Sequence, residues 1–415
     1  MERKKRNFDA AFVKACFCKI KEETAVRDAV STVLLLLLFA FYTLTFFVPR
    51  FYGLTEKYVG VFVFVMLAGL FAINVNPVKQ IKEKDKELIA LAVLMILAGI
   101  NILIVHSGFG CFFVVSNFAL IFYLSRRMPF HKWQMYLFGI LYTLMLIYWF
   151  FGVYTWMFAD YESFAMNTNT AATFTVFSMM FAFAFFEKLF EDHKAAGLLI
   201  TVALVKCLQI ALYHRSRGAF IMLSAFFVLR FFIPKKLWSR KGFFIFMCAL
   251  ATFGSLAFVA FYIWLGTTGI NFRMPFFYKN IFSGREAIWL EFWNLFIHKP
   301  ITGIGTNVTI TSFFEFNVHN AMYNILVIHG IPVFALTLYL MYSGLLDVRK
   351  KIEADRVIRC AVAAIFAICI ESFFDVDLIW TNYTLNVFLL LLTMNGRWRG
   401  EPVETKEDKT ENNNG

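Results

Sequence analysis

AAGLLITVALVKCLQIALYHRSRGAFIMLSAFFVLRFF, residues 195–232, is two apolar runs joined by a short polar turn, His214-Arg215-Ser216-Arg217-Gly218-Ala219. Each run suits a helix crossing a hydrocarbon core of roughly 30 Å. No water is available there to satisfy backbone amides, so a lone apolar segment must pair its own N–H and C=O groups as a helix. The pattern recurs along the chain: 60% of the 415 residues are hydrophobic, 19% are aromatic, and 54 are Phe. A water-soluble domain has too little interior to hide that much apolar surface. The sequence therefore predicts an all-α polytopic membrane protein with about twelve transmembrane helices. A large external loop, residues 266–320, separates helices 9 and 10.

Basic residues set the expected orientation. Lys79, Lys82, Lys84 and Lys86 fall in one connection, and Arg126 and Arg127 in the next but one. Lys235, Lys236, Arg240 and Lys241, then Arg349, Lys350 and Lys351, continue the alternation. Placing these clusters in the cytoplasm obeys the positive-inside rule and puts both termini there. The net charge of +12 then reflects topology and not nucleic-acid binding, for which no basic-aromatic domain is present. Residues 1–29 read as a cytoplasmic segment, with Phe8, Phe12 and Ile20 on one helical face that can lie along the inner leaflet. The first apolar run lacks a small-residue cleavage site and reads as an anchor, not a cleaved signal. Residues 30–394 form the membrane domain, and residues 395–415 read as a disordered cytoplasmic tail. The Cys residues are scattered, with no disulfide framework and no zinc spacing.

The candidate chemistry lies in the expected external connections. Arg215 and Arg217 are a pair of cations in an outer turn, which suits an anion. In the long loop, Ser283-Gly284-Arg285-Glu286 reads as a capping box. It is followed by Ile288, Trp289, Phe292, Trp293 and Phe296 on one helical face. That face is expected to rest on the outer membrane surface. Lys299-Pro300 ends the helix and Gly303-Ile304-Gly305 makes a turn. Arg285 falls in the first helical turn, where free N–H groups and the helix dipole favour an anion and a guanidinium adds a bidentate partner. His319, in Asn317-Val318-His319-Asn320, stands at the next membrane boundary, where an imidazole can take up a proton. His329-Gly330-Ile331-Pro332 reads as a bend inside the following span. Glu371, Asp375 and Asp377 crowd the last external turn, where they can position the arginines or bind an acceptor sugar. Lys206 lies within a span, where an unpaired charge costs roughly 2.5–3.5 kcal/mol on insertion scales. Arg215, Asn320, Asp377 and Lys206 make up the candidate substrate-binding set beside Arg217, Arg285 and His319.

These motifs, in this order, resemble the O-antigen ligase and O-antigen polymerase superfamily. The resemblance covers nearly the whole chain. It rests on the Ser-Arg-Gly-Ala turn, on Gly284-Arg285-Glu286-Ala287-Ile288-Trp289, and on Lys299-Pro300-Ile301-Thr302-Gly303-Ile304-Gly305. His319-Asn320, His329-Gly330-Ile331-Pro332 and Asp377-Leu378-Ile379-Trp380 complete it. Asn167-Thr168-Asn169-Thr170 departs from the pattern, since many relatives have a Pro between the two Asn. The resemblance implies transfer of a glycan from undecaprenyl diphosphate to an acceptor sugar hydroxyl on the outer face of the cytoplasmic membrane. The partners it implies are the lipid-linked donor, a lipid- or carrier-linked acceptor, and membrane lipids. It also implies His319 as general base, Arg217 and Arg285 on the diphosphate, inversion at the anomeric carbon, and no metal or other cofactor. Ligase and polymerase share these residues, and polymerase is slightly favoured because nothing marks a site for a lipid-core acceptor.

Two other classes compete. A transporter or lipid-glycan flippase fits many spans, but wants repeated halves and polar groups at mid-membrane, and only Lys206 is an obvious one. A metal-dependent glycosyltransferase wants an acidic pair in an outer loop, for which Asp160 and Glu162 are the candidates.

Overall fold

The computed structural model describes residues 24–155, 158–159, 167–270, 272–275, 277, 280–312, 317–396 and 398. The expected N-terminal face (Phe8, Phe12, Ile20), the pair Asp160 and Glu162, and the tail beyond residue 400 lie outside them. The described chain is helical apart from a short antiparallel ribbon, Tyr154–Thr155 with Phe158–Ala159. Among the described residues, 8 helices are long and apolar enough to cross a membrane. They are Thr24–Phe47, Lys57–Asn74, Lys86–Val105, Lys132–Val153, Thr168–Asp192, Ala196–Tyr213, Lys241–Thr267 and Ala321–Ile352. The sequence led us to expect about twelve. The remaining expected spans are present as shorter helices: Phe109–Ser125, Arg217–Phe227, Arg356–Glu371 and Thr384–Met394.

Burial sorts these helices into a centre and a rim. Thr168–Asp192, Arg356–Glu371 and Thr384–Met394 are buried on nearly every side. A helix apolar all round suits such a place. The rim helices turn long side chains outward, as with Leu103, Leu198 and Phe253, each more than half exposed. The central helices are tied by uncharged polar groups, which hold membrane helices together without the cost of a charge. Tyr42 shares a hydrogen bond with Ser178 at 2.7 Å, and the Asn386 amide joins Tyr42 and Tyr142 at 3.1 and 3.0 Å.

One span is broken, as expected from His329-Gly330-Ile331-Pro332. Gly330 has φ 84° and ψ 169°, and Pro332 follows inside the helix. A break at this depth frees backbone groups that must find partners in the protein. The loop segment 300–305 supplies them. Ile304 and Gly305 donate to the carbonyls of Val327 and Ile328 at 2.9 and 3.1 Å, and Ile331 donates to Pro300 at 2.9 Å. The Asn101 amide donates to His329 O at 2.8 Å. The strands of this interlock touch so closely that a Cβ on Gly330 would overlap the carbonyl of Ile301, and one on Gly303 that of Ile328. Both glycines also have positive φ. The Lys299–Gly305 motif therefore docks the long loop onto the bundle.

Gly330→Ala is expected to cost about 3 kcal/mol or more, from strained φ and steric overlap together. Gly99→Ala, where a Cβ meets open space, is the matched control. Thermal unfolding of the detergent-purified variants should separate the two clearly; equal midpoints would contradict the interlock.

Candidate active site

The helix Arg285–Phe296 forms where the sequence places it, but its start differs. Gly284 is the cap, at φ 82°, and no side chain caps the helix. Ser283 does not close a capping box. Its hydroxyl donates to Asn280 O at 3.0 Å and accepts from the Arg217 guanidinium at 2.6 Å. The reason is competition: a charged donor makes a stronger hydrogen bond than a backbone amide. The aromatic face also differs from expectation. Trp289, Phe292 and Phe296 are buried against Tyr262, Phe282, Val318 and Tyr323 within the protein, not laid on a membrane surface. Trp289 Nε1 donates to Val318 O at 2.6 Å, and Tyr323 Oη donates to Trp289 O at 2.9 Å. The loop helix is thus fixed to the residues on either side of His319.

Asp375 joins the site together. Its Oδ1 lies 3.4 Å from His319 Nδ1, and its Oδ2 lies 3.9 Å from an Arg285 guanidinium nitrogen. Both partners are mostly covered, with side chains 20% and 16% exposed. Burial works against the Asp375 charge, yet the His319 contact and the Arg285 guanidinium outweigh it and hold the carboxyl below its ordinary range. Asp377, two residues on, goes the other way. Burial, and then the Asp375 charge, push its carboxyl well above the ordinary range. The two adjacent carboxyls are thus pushed in opposite directions.

Arg217 approaches from the start of its own helix, Arg217–Phe227, which Ser216 caps. Its guanidinium donates to the carbonyls of Asn280 and Ile281, both at 3.0 Å, besides Ser283. It lies close enough to Arg285 for the two charges to repel. Behind it, a Cβ on Gly218 would come within 2.9 Å of Glu371 Oε1. The turn's glycine therefore lets the Glu371 carboxyl approach the backbone of the turn.

The remaining expected site residues serve varied ends. Arg215 is exposed, at φ 51°. Asn320 is 0% exposed. Its side chain accepts from Tyr323 N at 2.9 Å and donates to Ser255 Oγ and Phe373 O, both at 3.0 Å. These bonds tie its amide to the residues around it. Lys206 is 7% exposed, donates to Tyr154 O at 3.1 Å and lies over the Phe151 ring. Tyr154 in turn bonds His214 at 2.5 Å. Lys206 is thereby linked through Tyr154 to the turn that carries Arg217. Asp375 makes the contacts to His319 and Arg285, whereas the sequence reading singled out its neighbour Asp377.

Backbone strain gathers here. The non-glycine residues at positive φ among the described ones are Lys84, His106, Arg215, Ser283 and His319. The last three belong to this site. Such conformations persist where surroundings over-determine them, and they cluster at functional sites.

The helical membrane bundle thus brings two arginines, a histidine and a bridging carboxylate together, and guanidiniums suit an anion. Residues 202–338 match the family model described as O-antigen ligase, so the chain carries that family's domain over this stretch. The match takes in Arg215, Arg217, Arg285, His319 and Asn320, and ends before Asp375. A search of curated proteins finds no match. The protein is a multi-pass membrane protein whose residues 202–338 match the O-antigen ligase family model.

The two aspartates should respond oppositely to neutralisation. Asp375→Asn removes an ionised group that the site favours, and should lower stability at pH 7 by about 1 kcal/mol or less, given its partial exposure. Asp377→Asn removes a group whose charge burial disfavours, and should leave the midpoint level or higher. The Asp375 contribution is complete above the ordinary carboxylate pKa and is lost as pH falls through the depressed folded value. Thermal unfolding across pH 3–7 checks the sign; a shared response would contradict the assignment.

Proposed function

We propose that the protein is a metal-independent, inverting membrane glycosyltransferase. It moves a glycan from undecaprenyl diphosphate to an acceptor sugar hydroxyl on the outer face of a bacterial cytoplasmic membrane, with both termini cytoplasmic. The observation that carries this reading is the Asp375 bridge between His319 and Arg285. With Nδ1 donating to Asp375, the neutral imidazole has its other nitrogen as the acceptor. In the proposed step it takes the proton of the acceptor hydroxyl as that oxygen attacks the anomeric carbon. The bond from carbon to the diphosphate oxygen breaks on the opposite face, which inverts the centre. Arg285 and Arg217 receive the charge that develops on the leaving diphosphate. Fixed guanidiniums can do this without a metal, and bind such a group bidentately where a lysine cannot. Asn320 acts as a positioning residue, since it anchors the backbone next to His319. Ligase and polymerase share these residues; the end sugar of a second lipid-linked glycan, and so a polymerase, is slightly favoured as acceptor because the sequence marks no site for a lipid core.

His319→Ala should lower transfer by about 10²–10⁴-fold, the usual worth of a general base. Arg285→Ala should cost about 10²–10³-fold, and Arg285→Lys should recover little of it. Purified protein, a lipid-diphosphate-linked glycan and a strong chelator make the test. Activity that survives the chelator but not the His319 substitution supports the reading. Transfer that stops with the chelator, or persists near wild-type level in His319→Ala, overturns it.

A further inference from the structure

The opposite end of the Arg356–Glu371 helix, remote from Asp375, carries a second charged cluster that the proposed transfer does not use. Glu187 is 0% exposed and is shared by Arg230, at 2.5 Å, and Arg356. Arg359 lies within electrostatic reach of all three. Its own guanidinium makes only a long contact, 3.4 Å, to Ile352 O. One carboxylate therefore faces Arg230, Arg356 and Arg359. The neighbouring carboxylates are engaged by other groups. Lys188 is matched by Glu191 and Asp192 at 2.9 and 3.3 Å. Asp355 turns a carboxylate oxygen to the amides of Val357 and Ile358, capping the helix. Excess charge in a largely buried place is costly unless a counter-ion completes it.

Three further observations give the missing anion a character. Arg230 is 8% exposed, yet its Nε is buried without a hydrogen-bond partner. A buried donor left unmet marks a site for something else. Arg230 also sits in a π-helical turn, Val228–Phe232, and such turns are frequent at functional positions. The surface beside it is apolar and open: Phe227, Val228, Phe231 and Phe232 are 43–67% exposed. Arg356 itself is 31% exposed and stacks over the Phe190 ring at 4.2 Å. A free phosphate has no use for those rings, whereas a lipid has chains to lay along them.

We propose that Arg230, Arg356 and Arg359 form a binding site for the phosphate headgroup of an anionic lipid, whose chains lie along Phe227, Phe231 and Phe232. Each arginine near a membrane surface contributes roughly 1 kcal/mol to such binding, or about fivefold in retention. The site is separate from the transfer chemistry, so its test does not depend on activity. Full-length protein is placed in nanodiscs of phosphatidylcholine alone or with phosphatidylglycerol. Lipid retained through detergent release is counted by native mass spectrometry, and thermal midpoints are read alongside. Wild type should retain phosphatidylglycerol over phosphatidylcholine and gain thermal stability from it. Arg359→Gln, which leaves both Glu187 pairs intact, should retain about fivefold less. Arg356→Gln is the second variant. Equal retention by wild type and both variants overturns the site. So does inorganic phosphate reproducing the whole thermal gain, since that would make the ligand a free anion.

Discussion

Asp375 touches what three separated stretches of chain bring to one place. The last turn of the bundle supplies the carboxylate, the loop helix supplies Arg285, and the start of the broken span supplies His319. Like charges repel, so a site built from Arg217, Arg285 and a histidine needs an anion to close when no substrate is bound. A carboxylate whose charge those neighbours favour meets that need, while burial disfavours a charge on Asp377 beside it. The surrounding architecture can be understood as what holds these three stretches in register.

Holding them takes two devices. The first is the backbone interlock between residues 300–305 and the break at Gly330, which docks the far end of the loop. The second is the shell around Asn320, whose amide joins Ser255, Tyr323 and Phe373. Between these anchors the loop helix is buried on its aromatic face, so Arg285 cannot swing freely. The strain that results is visible in the left-handed backbone of Ser283 and His319. Strain of that kind is bearable only because the flanking contacts leave the chain no alternative.

Much of this is legible in the amino-acid sequence, and the limits have physical causes. Apolar length and charge alternation predict a helical membrane bundle because the bilayer leaves few options for backbone pairing. The loop helix and the bend at Gly330 are readable because periodicity, Gly and Pro act locally. Ser283, Asn320 and Lys206 were open to misreading because their partners are distant in sequence. Ser283 looks like a cap until Arg217 arrives from another helix. Lys206 looks like a cavity residue until Tyr154 offers a carbonyl. Asp375 could not be told from Asp377 by type or spacing, since only the fold decides which one meets His319. The span count differs in part for a similar reason: several apolar stretches are shorter helices, and hydropathy alone does not fix where a helix ends.

The central claim is that Asp375 and His319 act as one unit in transfer. A double-mutant cycle on the rate of glycan transfer, under single-turnover conditions with purified protein, addresses it directly. Wild type, Asp375→Asn, His319→Ala and the double variant would be compared with a lipid-diphosphate-linked donor. If Asp375 works through His319, the double variant should be no slower than His319→Ala alone, because groups that act as a unit are strongly non-additive. Losses that simply multiply would mean that the two residues act independently, and would contradict the account.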